Sequence, residues 1–134
     1  MISDVEYLIE SLSNFADTNQ IVISYNGKLN RVERLDYYPD GNGCLSIKKS
    51  DDWSIETYSV YEFKELLLKY ADIISDIKFE AYDSSEQGIL NVYETEDISG
   101  NSFFTVLMVG VKGEKLELPD NVSLVNNLNV RTIL

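Results

Sequence analysis

Val5, Leu8, Ile9, Leu12, Phe15 and Ala16 recur at the three- and four-residue spacing of one helical face, and Ser3 with Glu6 forms a capping box ahead of them. This pattern predicts a helix over residues 4–17. From Gln20 to Tyr25 the chain turns to β-branched residues, and Asn26-Gly27 suits the two positive-φ positions of a type I′ hairpin turn. A second strand is expected from about Lys28 to Tyr38. The turn signal Pro39-Asp40-Gly41-Asn42-Gly43 follows, and Cys44, Leu45 and Ile47 begin a third strand. A second capping box, Ser59 with Glu62, opens the run Phe63, Leu66, Leu67 and Tyr70, which predicts a helix over residues 60–72. Strands are expected within Ile73 to Tyr82 and across Ile89 to Asp97. Phe103 to Val111 is apolar on both faces, as a strand in the middle of a sheet requires.

The order helix, strand, strand, strand thus occurs twice. Phe15-Ala16-Asp17 returns as Tyr70-Ala71-Asp72, and Val22-Ile23-Ser24-Tyr25 as Phe79-Glu80-Ala81-Tyr82. Gly41 to Ile47 has a counterpart in Gly100 to Val106. The reading is a single α+β domain over residues 1–134. It is a tandem pair of helix-plus-three-strand (αβββ) units, residues 3–57 and 59–111, forming mainly antiparallel sheet with two helices. Two ordinary αβββ segments that merely share turn residues would produce the same pattern. Residues 112–134 form a C-terminal extension with a short strand at 115–118 and a break at Pro119. The apolar positions Val122, Leu124, Val125, Leu128 and Val130 beyond it suit either a helix or a strand pairing with a sheet edge. At 134 residues the chain can bury a core of its own without a disulfide or a metal.

Charge narrows the function. With 23 acidic against 11 basic residues the net charge is −12, which repels phosphate backbones and anionic membrane surfaces. Direct nucleic-acid or membrane binding is therefore not expected. The run from Phe103 to Val111 is far short of the roughly 20 apolar residues that span a bilayer. Met1-Ile2-Ser3-Asp4 lacks the features of a signal peptide, and Cys44 is the single cysteine, so the expected location is cytoplasmic.

Candidate chemistry is sparse. Histidine is absent, which removes the commonest general base and transition-metal ligand. Cys44, after Gly43 at a strand start, reads as packing rather than as a nucleophile. Asp36 with Asp40-Gly41-Asn42-Gly43 has part of a calcium loop but no closing carboxylate, because Leu45 to Ile47 continues as strand. The glycines fit neither a Walker loop nor a dinucleotide fingerprint. Lys28, Arg31, Arg34, Lys48 and Lys49, with Tyr25, Tyr37 and Tyr38 nearby, form a basic group suited to solubility or edge protection. Neither an enzyme nor a cofactor is expected.

The remaining signal is acidic. Between Lys78 and Lys112 the sequence holds no Lys or Arg. The candidate partner-binding residues are Asp76, Glu80, Asp83, Glu86, Glu94, Glu96 and Asp97, placed on two strands expected to be adjacent and on their connecting turn. Gathered on one face they would steer the chain toward a basic protein groove, though a solvated face would carry the same residues. In the acids between Asp72 and Asp97, and in its composition, the chain resembles phage- or plasmid-borne inhibitors that imitate nucleic acid, including anti-CRISPR and anti-restriction proteins. The resemblance implies a non-catalytic inhibitor that occupies the basic nucleic-acid surface of a nuclease. An accessory, immunity-like or self-associating module, up to a homodimer, using its nine Tyr and Trp53 is the alternative.

Overall fold

The computed structural model describes residues 4–39, 44–74, 76–79, 88–96, 103–110 and 124–126. It contains helices α1 (Asp4–Leu12) and α2 (Val60–Tyr70). The strands are β1 (Gln20–Tyr25), β2 (Lys28–Tyr38), β3 (Cys44–Ser50), β4 (Asp76–Phe79), β5 (Gly88–Glu96), β6 (Phe103–Gly110) and β7 (Leu124–Asn126). All seven belong to one sheet in the order β4-β3-β2-β1-β6-β5-β7. It is a mixed, mostly antiparallel α+β arrangement, in which only β1 with β6 and β3 with β4 run parallel.

Local chemistry accounts for the first hairpin and for α2. Asn26 and Gly27 both adopt positive φ, 51° and 73°, so the turn between β1 and β2 has the backbone that Asn-Gly favours. At α2 the Ser59 hydroxyl accepts from the Glu62 amide at 3.1 Å, and the Glu62 carboxylate accepts from the Ser59 amide at 3.1 Å. This completes the capping box expected there.

The first helix ends at Leu12 rather than at residue 17. The Ser13 hydroxyl donates to the Ile9 carbonyl at 2.8 Å, and the Asn14 amide donates to the Glu10 and Ser11 carbonyls. These short polar side chains satisfy the last helical carbonyls and divert the backbone into a turn. Phe15 nevertheless stays in the core.

The two halves share their order of elements but not their pairing. The first unit, β1-β2-β3, is an antiparallel meander. In the second, β4 crosses back to lie parallel to β3 after α2, while β5 pairs with β6. The C-terminal extension contributes β7, antiparallel to β5.

The sheet is strongly curled. Four strands separate β4 from β5 in the ladder, which in a flat sheet would hold them roughly 24 Å apart at about 4.8 Å per step. Instead they come into contact. Both helices pack into the inner face so formed, against Ile21, Ile23, Val32, Leu45, Ile47, Ile89, Val92, Leu107 and Val109. Val22, Tyr93, Val106 and Met108 form a smaller buried cluster on the outer face, joined by Leu29 and Phe104. As its apolar sequence implied, β6 lies inside the sheet between β1 and β5 and is buried on both faces. No helix among the described residues is long and apolar enough to cross a membrane.

Candidate functional site

Of the acidic candidates from residues 76–97, Asp76, Glu94 and Glu96 lie within the described residues. Asp76 opens β4 at one end of the sheet, and Glu96 ends β5 near the other. The two strands are therefore not hydrogen-bonded neighbours, contrary to the expectation from sequence, because β4 pairs with β3 instead. Glu80, Asp83, Glu86 and Asp97 lie outside the described residues. Glu94 faces inward: its carboxylate accepts from the Asn19 amide at 2.8 Å, and the same amide donates to the Thr105 hydroxyl at 3.1 Å. Asn19 and Thr105 are both buried, so this carboxylate is engaged in holding the start of α2 to β5 and β6.

The basic group is largely neutralised by its own neighbours. Glu33 pairs with both Arg34 and Lys48, Asp36 with Arg34, and Asp51 with Lys49, all at 2.9–3.3 Å. Lys64 pairs with Asp17 at 3.1 Å. Exposed pairs of this kind add little stability, but they leave much of the acid excess uncompensated elsewhere.

On α2 the excess acquires a shape. Val60, Phe63 and Leu67 are buried, so the opposite side carries Tyr61, Glu65 and Leu68, continued beyond the helix by Asp72. Spacings of four and three residues put Tyr61, Glu65 and Leu68 in one line along the helix axis, and Asp72 follows in the turn after it. Tyr61 is 54% and Leu68 53% exposed, large values for side chains of this kind. Neither Glu65 nor Asp72 has an ion-pair partner among the described residues. The solvent side of α2 thus carries apolar and negative groups together with the exposed Lys69, four residues after Glu65. It is the complement of the core positions that predicted the helix, so the same periodicity could have revealed it.

The outer sheet face carries a second feature. The segment after β3 brings Trp53 over this face, where the Arg31 guanidinium stacks 4.7 Å from its ring and Phe104 lies 6.0 Å away. Arg31 also donates to Gln20 at 2.8 Å. The turn holding Trp53 is tied by Asp52, whose carboxylate accepts from the Ser54 amide at 2.9 Å and hydroxyl at 2.6 Å. These bonds hold the Asp52 carboxyl below its ordinary value.

Tyr93 lies deeper in the same face, 1% exposed. Burial pushes its phenol up to about 12, against a smaller opposing pull from the nearby Ser24 hydroxyl, which does not reach the geometry of a completed hydrogen bond. Tyr93→Phe should therefore leave neutral-pH stability unchanged or slightly raised, since it deletes an unsatisfied buried hydroxyl. Above pH 10 the unfolded chain ionises first, so the native protein loses stability between pH 10 and about 12. The loss should be of the order of 2 kcal/mol. Denaturant titrations at pH 8 and pH 12 test this: the variant should lack that share of the alkaline loss, and equal losses in both proteins would refute the assignment.

Cys44 is half-buried at the start of β3, with its thiol 3.5 Å from the Leu45 carbonyl. Among the described residues no group of three or more potential ligands is arranged to hold a metal ion. Comparison with protein-family models, curated proteins and solved structures yields no match.

Proposed function

We propose that this chain is a non-catalytic, acidic protein-binding domain that inhibits its target by occupying a basic, nucleic-acid-binding surface, such as that of a CRISPR or restriction nuclease. The observation carrying this reading is the α2 stripe Tyr61–Glu65–Leu68 with Asp72 in the turn beyond it, where exposed apolar anchors stand beside carboxylates in a chain of net charge −12. A basic groove would meet both elements: the carboxylates take the place of phosphates, while Tyr61 and Leu68 supply apolar contact area. Asp76, Glu80, Asp83, Glu86, Glu96 and Asp97 add to the attracting field, and Glu94 supports the scaffold through Asn19. The absence of histidine from the sequence agrees with steric and electrostatic blockade rather than turnover.

The test is a cleavage assay. Purified CRISPR and restriction nucleases of known basic channel are titrated with the chain at about 50 and about 500 mM salt. Inhibition that is competitive with substrate DNA and weakens by at least about tenfold at the higher salt is expected. Undiminished cleavage across the set at saturating chain would overturn the proposal.

A further inference from the structure

We infer that Asp17 is a specificity-determining residue of the α2 surface: it holds Lys64 in an internal ion pair, so that a basic partner meets a carboxylate rather than an ammonium beside Tyr61 and Leu68. The inference rests on the α2 reading above and names a residue outside the helix on which that surface depends. Asp17 lies in the segment between α1 and β1 and meets the start of α2 twice. Its carbonyl accepts from the Tyr61 amide at 3.1 Å, and its carboxylate accepts from the Lys64 ammonium at 3.1 Å. The Asn19 carbonyl accepts from the Val60 amide at 2.8 Å, so two backbone bonds fix this segment against the first turn of α2.

Lys64 is the helical neighbour of both exposed anchors, three residues after Tyr61 and four before Leu68. It stands at the margin of the stripe, between these anchors and the buried Val60 and Leu67. Only 20% of the Lys64 side chain is exposed, against 59% for Asp17, so the base is folded down and the acid stands outermost. Lys69, the other base of α2, lies on the opposite flank with its ammonium 5.5 Å from the centre of the Tyr70 ring. Releasing Lys64 would therefore place a cation on each margin of the stripe. A pair this exposed contributes little to folding, and neutralising its acid should leave the fold as it is. The local field changes more. Charges act over roughly 10 Å at about 0.1 M salt, and a cation turned toward the cations of a basic groove opposes docking.

Two measurements on the full chain test this: capture on immobilised poly-L-lysine at about 50 and about 500 mM salt, and displacement of labelled duplex DNA from a nuclease that the chain inhibits. Asp17→Asn keeps the backbone carbonyl and should hold its melting temperature within a few degrees. It should weaken both by about fivefold or more at about 50 mM salt, and by less at about 500 mM. Adding Lys64→Gln restores the net charge of −12 and should bring both to within about twofold of wild type. Lys64→Gln alone leaves the Asp17 carboxylate unanswered and should tighten both. Asp51→Asn is the control, because it removes the same charge from the Lys49 pair on the sheet and should change either by less than about twofold. Equal weakening by Asp17→Asn and Asp51→Asn would reduce the effect to net charge, and a double variant no better than Asp17→Asn would acquit Lys64; either result overturns the inference. A wild type that displaces no DNA sinks the nuclease reading alone, since the polylysine comparison stands without it.

Discussion

Phe63→Ala should destabilise the protein by about 3–5 kcal/mol, whereas Leu68→Ala on the same helix should change stability by no more than about 0.5 kcal/mol. The two residues stand little more than a turn apart on opposite sides of α2. Phe63 is fully buried in the inner core and meets Tyr58 edge-on at 6.1 Å. Removing its ring leaves a cavity that the packed helix and sheet can only partly close. Leu68 is more than half exposed and forfeits little by truncation. Urea denaturation of both variants measures the difference; equal losses would mean that α2 does not dock through Val60, Phe63 and Leu67.

Asn19→Leu should cost about 2–4 kcal/mol, a large effect for a change of nearly constant volume. The Asn19 amide is the group that answers the inward-facing Glu94 carboxylate and the buried Thr105 hydroxyl, at 2.8 and 3.1 Å. An isobutyl group there leaves the buried Thr105 hydroxyl and the half-buried Glu94 carboxylate without that donor. The backbone bonds of Asn19 to Ala16 and Val60 survive the change, so the loss belongs to the side chain. Replacing Glu94 by Leu in the same chain should recover part of the stability, because the unanswered carboxylate is then gone. Additive losses in the double variant would show that the two side chains are not coupled.

Much of the architecture was legible from local chemistry. The Ser59–Glu62 box located α2, Asn26-Gly27 located the first hairpin, and the two-sided apolar run of β6 announced an interior strand. These signals act over a few residues, which is why sequence carries them well. What escaped depended on partners distant in the chain. Nothing in Asp76 to Phe79 says that β4 should cross over to lie parallel to β3, nor that β1 should accept β6 as its parallel neighbour. With β4 paired to β3, the two acidic strands are not hydrogen-bonded to each other, although they touch where the sheet curls. The inward orientation of Glu94 was hidden for the same reason: its partner Asn19 is 75 residues away. The end of α1 was locally encoded, in Ser13 and Asn14, but the apolar spacing through Phe15 and Ala16 masked it. The α2 stripe is present in the sequence as the far side of the helix that the Ser59–Glu62 box locates.

The claim that function resides in that stripe is tested most directly by displacement of labelled duplex DNA from a nuclease that the chain inhibits. Wild type is compared with a variant carrying Glu65→Lys and Leu68→Ser on the solvent side of α2 and Asp72→Lys in the turn just beyond it. The account predicts that the variant keeps its melting temperature within a few degrees while requiring at least about a hundredfold more protein to displace the DNA. Displacement by the folded variant at wild-type concentrations would contradict it.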